Sequence, residues 1–423
     1  MKVIEYDAVV VGGGAAGMAA AAALVERGFR CAVCEREAAM GGILLQCIHN
    51  GFGVQEFKKE LTGPEYAEEW LEQVTERKVP IYLETTVIDI ETSGGPDGAQ
   101  IKQLYCFSPR HGAMVLRCRA VVLTMGCRER NRGNIRIPGD RPAGVYTAGL
   151  AQRLVNVEGY IPGKKAVIIG SGDIGLIMAR RMTWVGSTVE AVVEIQPYPS
   201  GLTRNIVQCL NDFDIPLYLS HVVSRIEGRE RVERVEVTPL ENGVPDPEQS
   251  FWIDCDTVLL SVGLIPENEL SKKAGIELSR QTGGPHVDSR MMTSVPGIFA
   301  AGNVLHVHDL VDYVTEEARR TGEYAVSYLR NEHPQRQVPV RAGANVRYVN
   351  PGSIDTGRAN RLYLRTLIVK NGAYVELKVD NHVIRRKKEL HVQPSEMISV
   401  DLRDRDLANA TFTPDSVLEV SVS

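Results

Sequence analysis

The sequence predicts an α/β chain: two Rossmann-like domains, each a three-layer ββα arrangement, and a small all-β module after them. Three observations carry this. Near the start, an apolar strand, a glycine-rich turn, a helix and a second apolar strand ending in an acid follow one another. The same order returns 158 residues later. From about residue 338 to Ser423 short apolar and polar runs alternate with no helical period. A length of 423 residues leaves room for two to three domains of roughly 150 residues each and for a sizeable core.

The first unit opens with the strand Tyr6–Val11 and turns through Gly12-Gly13-Gly14-Ala15-Ala16-Gly17 into an alanine-rich helix reaching Arg27. Phe29–Glu35 is the second strand. G-x-G-x-x-G with an acid 23 positions after its first glycine is a dinucleotide pattern in which each residue has a reason. Gly12 permits the tight turn, Gly14 lets backbone approach a pyrophosphate, and Gly17 brings helix and sheet together. The diphosphate then sits on the helix N-terminus, where free N–H groups and the dipole favour negative charge. Glu35 is placed to accept hydrogen bonds from a ribose. The second unit runs Lys165–Ile169, then Gly170-Ser171-Gly172-Asp173-Ile174-Gly175, a helix to Val185, and Thr188–Glu194, with Glu194 24 positions after Gly170. One such motif alone is weak; two in full strand–turn–helix–strand–acid context predict two dinucleotide sites.

Arg119–Gly126 and Asp256–Gly263 read as buried strands ending in glycine, where the chain crosses between the two units. Ser294–Asn303 is a turn, a strand and a Gly-Asn pair opening onto a helix over Val311–Leu329, whose N-terminal N–H groups are expected to face a ligand across the sheet edge. The expected boundaries are 1–125 and 263–335 for the first domain, 126–262 for the second and 336–423 for the β module. The run Arg385–Lys388 reads as a charged edge strand, a device against aggregation.

Composition is that of an ordinary globular chain, 43% hydrophobic and 24% charged, and a net charge of −5 argues against a polybasic nucleic-acid or membrane surface. No apolar run reaches the ~18–20 residues of a membrane span, and the first residues carry no signal-peptide profile, so the cytoplasm is the expected location. The eight cysteines, Cys31 to Cys255, then read as reduced thiols.

VVVGGGAAG with Glu35, the two crossings, GSGDIG and GIFAAGN together resemble the pyridine-nucleotide–disulfide oxidoreductase superfamily over roughly residues 4–330. The implied fold is thioredoxin-reductase-like. PAGVYTAGLAQ (142–152) is similar to the branch of sarcosine and opine oxidase and hydrogen cyanide synthase flavoprotein subunits. GGILLQCIHNGFG and VLHVHDLVDYVTEEA look like a narrower group working beside a glycerol-3-phosphate-dehydrogenase-like subunit. The resemblance implies FAD on the first motif, held by Gly12, Gly14, Ala15, Ala16 and Gly17, with Glu35 and Arg36 at the adenosine ribose. Gly41 and Gly42 line the flavin side, Val87 contacts adenine through its backbone, and Gly126, Gly302 and Asn303 complete the site. Asn303 stands where the family motif carries Asp; an amide still offers an acceptor and adds donors. NAD(H) is implied on Gly170, Gly172, Asp173, Ile174, Gly175, Glu194 and Gly263. Glu194-Ile195-Gln196-Pro197 supplies a carboxylate for a 2′-hydroxyl and no arginine until Arg204, which favours NADH over NADPH.

The disulfide of that superfamily has no counterpart. Cys31 and Cys34 lie in an extended strand, where positions i and i+3 are about 10 Å apart and face opposite sides. Val145–Gly163 contains no cysteine, and only Cys47 follows the Gly41-Gly42 turn. Cys47 and His49 are the candidate catalytic pair, a thiolate beside an imidazole; the plainer alternative is a small polar turn shaping the pocket. Cys127 reads as a filler on the crossing. His306, His308 and Asp309 imitate metal ligands, but their place after Asn303 suggests a loop ordering the flavin edge or its proton traffic, and no metal is expected. The expected reaction is hydride transfer from NADH to flavin N5, with the helix after Asn303 stabilising the reduced flavin. Without a disulfide the electrons must leave for a second redox centre, a flavin or an iron–sulfur cluster on a partner subunit, which the β module would dock; lid or homodimer contact are alternatives for that module. Two rivals remain: a self-contained NADH-dependent reductase or oxidase acting on a small molecule or O2, and a non-catalytic scaffold holding FAD.

Overall fold

The computed structural model describes residues 2–94 and 100–423, which include every site residue named above. The chain divides into two compact units, Met1–Cys127 with Pro266–Ser423, and Arg128–Ile265. The second unit thus begins and ends two to three residues later than the sequence suggests.

In the first unit five parallel strands form the central sheet, in the order Ile298–Ala300, Ala120–Leu123, Ala8–Val11, Cys31–Cys34, Ile81–Tyr82. AVVV, AVVL and CAVC are buried along their whole length instead of alternating, because both faces of the sheet are covered. Helix Ala15–Glu26 is apolar all round, and its small side chains let helix Val311–Leu329 come close: a Cβ on Gly322 would stand 2.7 Å from Ala20 O. The third layer is the antiparallel meander Thr86–Gly94, Gln100–Ser108, Gly112–Cys118, which Lys2–Glu5 joins in parallel. The strand expected at Tyr6–Val11 is therefore broken. Asp7 accepts from Arg30 N at 2.7 Å, and the chain bends there from one sheet into the other.

The β module is a sandwich with its own apolar core. One sheet runs Ser353–Asp355, Gln337–Ala342, Leu418–Val422, Lys370–Val379, His382–Val392; the other runs Val346–Asn350, Asn360–Thr366, Met397–Leu402. Arg385–Lys388 lies on the edge strand, with Arg386 over the Tyr374 ring and 3.2 Å from Glu376. The module belongs to the same compact unit as the first domain. Its strands lay Tyr348, Tyr363 and Arg365 against the segment from Gly302 to Arg320.

The second unit repeats the parallel pattern with Val145–Thr147, Thr257–Leu260, Lys165–Ile169, Thr188–Glu194 and Leu217–Leu219, helix Asp173–Trp184, and an antiparallel layer of His221–Glu227, Arg234–Glu241 and Phe251–Asp254.

Candidate functional site

Each glycine turn has a closed side and an open side. A Cβ on Gly12 would stand 2.6 Å from Thr124 O, and one on Gly17 would stand 1.8 Å from Gly12 O, so both are fixed by packing. A Cβ on Gly14 would meet nothing within 4 Å. Gly14 is also the N-cap of helix Ala15–Glu26, which has no side-chain cap and no acid in its first turn. The second turn matches it in packing, although its helix carries Asp173 in the first turn. A Cβ on Gly170 would reach 2.1 Å from Ser261 O and one on Gly175 would reach 2.7 Å from Gly170 O, while Gly172 caps its helix with no side chain and has only Ser261 near it. An unfilled space against uncapped N–H groups is the fit a dinucleotide pyrophosphate requires.

Around the first turn, Ala15 and Ala16 are small and buried, and Ala16 Cβ lies 3.1 Å from where a Cβ on Gly302 would be. Gly41 N donates to Gly13 O at 2.8 Å, which sets Gly42 against Gly14. Glu35 is buried; its carboxylate accepts from Gly13 N at 2.5 Å and Glu37 N at 2.8 Å, tying the acid to the turn it follows. Arg36 is exposed and 3.8 Å from Glu37, and Val87 is half-buried, two residues from Thr85, whose N–H donates to Glu35 O. Gly126 has a left-handed backbone with open space where a side chain would project, and so has Gly263 in the second unit.

Three residues differ from expectation. Asn303 Oδ1 accepts from His308 N at 3.0 Å, so its acceptor is committed inside the loop, and its Nδ2 lies 3.6 Å from Cys127 Sγ. Asp173, expected at the cofactor, accepts instead from Leu202 N at 2.8 Å and Asn205 Nδ2 at 2.6 Å, pinning the loop after Glu194. The helix Val311–Leu329 carries a buried acid, Asp312, in its first turn, which opposes the positive helix end expected there. Glu194 is buried under four donors: Ser171 N, Ser171 Oγ at 2.6 Å, Ser200 Oγ at 3.1 Å and Gln196 N. Ile174 is half-buried in the first turn of helix Asp173–Trp184.

Cys47 and His49, the candidate catalytic pair, follow the short turn Gly42–Gln46. Burial pushes the Cys47 thiol up to about 12, so it keeps its proton at neutral pH. Its Sγ donates to Ile43 O at 3.3 Å, and its carbonyl accepts from Gly63 N at 2.8 Å. His49 Nδ1 pairs with Asn50 O at 3.1 Å and its ring lies on Phe52. Cys31 and Cys34 are buried in their strand, and all eight cysteines are free thiols.

Sequence reasoning missed Glu317. His306, His308 and Glu317 are fully buried with ligand-type atoms within 4.8 Å of one another. Asp309, the third residue suggested by sequence, turns away to Arg365 and to Met397 N at 2.6 Å. Burial alone would raise Glu317, but His308 and His306 against it outweigh that and hold it well below the usual carboxylate range. Burial lowers His306, more than Glu317 raises it. The available signal was helical phase: Glu317 shares the buried face of its helix with Ala318, Thr321 and Tyr324.

Residues 6–322 match the model of the pyridine nucleotide-disulphide oxidoreductase family. The chain belongs to that family. It is 27% identical over 318 residues to an opine oxidase subunit from Agrobacterium tumefaciens, covering 70% of this chain and 61% of that one. It is 28% identical over 251 residues to an NADH oxidase of Methanocaldococcus jannaschii, covering 57% and 50%. The matched part is less than two thirds of the length of either relative. Thioredoxin reductase from T. acidophilum superposes on 77% of the chain and 98% of its own length with a TM-score of 0.62 at 24% identity, which establishes the thioredoxin-reductase-like fold. No helix among the described residues is long and apolar enough to cross a membrane.

Proposed function

We propose that the chain is a flavoprotein oxidoreductase that holds FAD on the first unit and NAD(H) on the second and passes electrons between NAD(H) and a second redox centre on a partner subunit. The observation that carries this is the pair of glycine turns, each with open space at its middle glycine, an uncapped helix end and a buried carboxylate closing the next strand. FAD, when bound, supplies the acceptor for a hydride. The chain's own residues do the rest. Gly12, Gly14 and Gly17 shape the pyrophosphate cradle, Glu35 braces it, and Gly42 and Gly302 bring two further segments to its edge. Glu194 favours NADH, because a 2′-phosphate would bring a second anion to a carboxylate already buried among Ser171, Ser200 and Gln196. A partner is supported by the name of the relative, one subunit of an opine oxidase.

The test is anaerobic mixing of purified, FAD-loaded protein with NADH or NADPH while the flavin absorbance is followed. Fast bleaching by NADH, slow bleaching by NADPH and little O2 turnover without a partner are expected. Flavin that NADH does not bleach would leave the scaffold reading. Rapid steady NADH oxidation by the chain alone would favour the self-contained oxidase, which the name of the second relative supports.

A further inference from the structure

The cluster His306–Glu317–His308 sits against the turn that carries Asn303. Glu317 Oε1 accepts from Gly302 N at 2.7 Å and from His308 Nε2 at 3.2 Å, and Oε2 accepts from His306 Nε2 at 2.8 Å. The two imidazoles engage different oxygens and a backbone N–H takes a further lone pair, so the carboxylate is satisfied by hydrogen bonds without an ion. With both Nε2 atoms donating, each ring has Nδ1 left. At His308 that atom is buried with no partner among the described residues, so a proton there would lack an acceptor. At His306 it faces the Tyr348 hydroxyl 3.5 Å away, which can donate to a neutral ring and rotate to accept from a protonated one. Glu316 pairs with Arg320 on the helix, and Asp309 on the loop with Arg365 of the β module, whose guanidinium also hydrogen-bonds the Tyr348 hydroxyl and adds to the lowering of His306. Tyr363 lays its ring against both imidazoles, and its hydroxyl donates to Glu316 and accepts from Arg320 at 3.3 Å.

We propose that His306 is the proton acceptor linked to reduction of the flavin site, with Glu317 and Tyr348 as its positioning residues. Hydride transfer from NADH would add two electrons and one proton to a flavin held by the first unit, leaving NAD+ and one extra negative charge on that unit. One proton from solvent then enters at His306 Nδ1, Nε2 stays on Glu317, and Tyr348 turns to accept, so the local charge is restored. Burial lowers His306, which favours its neutral form before reduction. A nearby negative charge favours the imidazolium. The β module thereby has a role inside its own chain, supplying the hydroxyl that receives the proton's hydrogen bond.

The inference rests on the FAD reading. The test counts solvent protons taken up per NADH oxidised, using a pH indicator in weakly buffered, anaerobic holoenzyme at pH 7. About one is expected for the native chain and about none for His306→Gln. Tyr348→Phe leaves the Glu317 clamp intact and should also lower the count at pH 7, which keeps the test available should the histidine variant not fold. Equal uptake in the native chain and both variants would place the proton elsewhere and overturn the proposal, as would no uptake by the native chain. So would one equivalent of a transition metal in purified protein that Glu317→Gln loses. A chain without flavin absorbance overturns the FAD reading and this inference together, whereas bound flavin bleached by NADH with unchanged proton counts overturns the inference alone.

Discussion

Gly14 and Gly17 lie three residues apart in one motif, yet alanine at each should fail for a different reason. At Gly14 the backbone is extended, φ −77° and ψ −171°, which any residue adopts, and a Cβ meets nothing within 4 Å. Gly14→Ala therefore costs the apoprotein nothing in contacts and removes backbone freedom from the unfolded chain, a stabilisation of about 0.4–1 kcal/mol. The open space it fills is the space assigned to the FAD pyrophosphate, so FAD affinity should fall at least tenfold, about 1.4 kcal/mol or more. At Gly17 the Cβ would stand 1.8 Å from Gly12 O, a backbone atom that cannot swing aside, and Gly17→Ala should destabilise the apoprotein by about 1–3 kcal/mol through overpacking. Urea denaturation of the two apoproteins and FAD titration by fluorescence quenching separate the effects. If Gly14→Ala binds FAD as tightly as the native chain, the space at that turn is not a cradle and the central argument for the cofactor is wrong.

Other substitutions probe the remaining claims. Glu317→Ala leaves buried N–H donors on Gly302, His306 and His308 unpaired and should cost about 3–5 kcal/mol in denaturation, while a loss under about 0.5 kcal/mol would mean that the cluster is not packed as described. Glu317 and His306 both sit below their ordinary values in the folded chain, so the stability they contribute is present at neutral pH and is lost as pH falls, from about 6.5 for the imidazole and then from about 4.3 for the carboxylate. A denaturation midpoint that rose between pH 7.5 and 5 would contradict that sign. Cys47→Ser should keep NADH-to-dye activity within about twofold, because a thiol that retains its proton is not a nucleophile; abolished activity would restore it as a catalytic group. Glu194→Ser should improve kcat/KM for NADPH relative to NADH by about tenfold, and an unchanged ratio would remove Glu194 from the selectivity argument.

The parts legible in the sequence are those whose cause is local. Gly17 and Gly175 are demanded by the carbonyls of Gly12 and Gly170 in their own turns, so the motif itself reports that packing, whereas Gly12 and Gly170 answer to Thr124 and Ser261 at the ends of strands distant in sequence. AVVV and CAVC are uninterrupted apolar runs because a parallel sheet buries both faces. Where the cause is distant, the sequence is silent. Lys2–Glu5 is mostly exposed and pairs with Gly112–Cys118 over a hundred residues away, so no periodicity announces it. Glu317 follows Glu316 in a helix and looks like one of two solvated acids; only the turn of the helix separates the one that meets arginine from the one buried under two imidazoles.

The β module shows the same division most sharply. Its strands can be read from alternation, but alternation names only which residues face inward, and a sandwich has more than one inside. Leu362 and Leu364 fill the module's own core, whereas Tyr363 and Arg365 between and beside them, with Tyr348 of the neighbouring strand, reach the loop after Gly302. By alternation alone those residues form a free outer face, and a free face invites a partner. In the structure that face is spent on the chain's own histidine–glutamate cluster. The partner proposed above would then dock on another surface, and truncating the chain at residue 335 should disturb more than docking. The truncated protein is expected to lose the solvent-proton uptake that accompanies flavin reduction; a truncated protein that folds, binds FAD and takes up protons as the full chain does would return the module to the role of a docking domain.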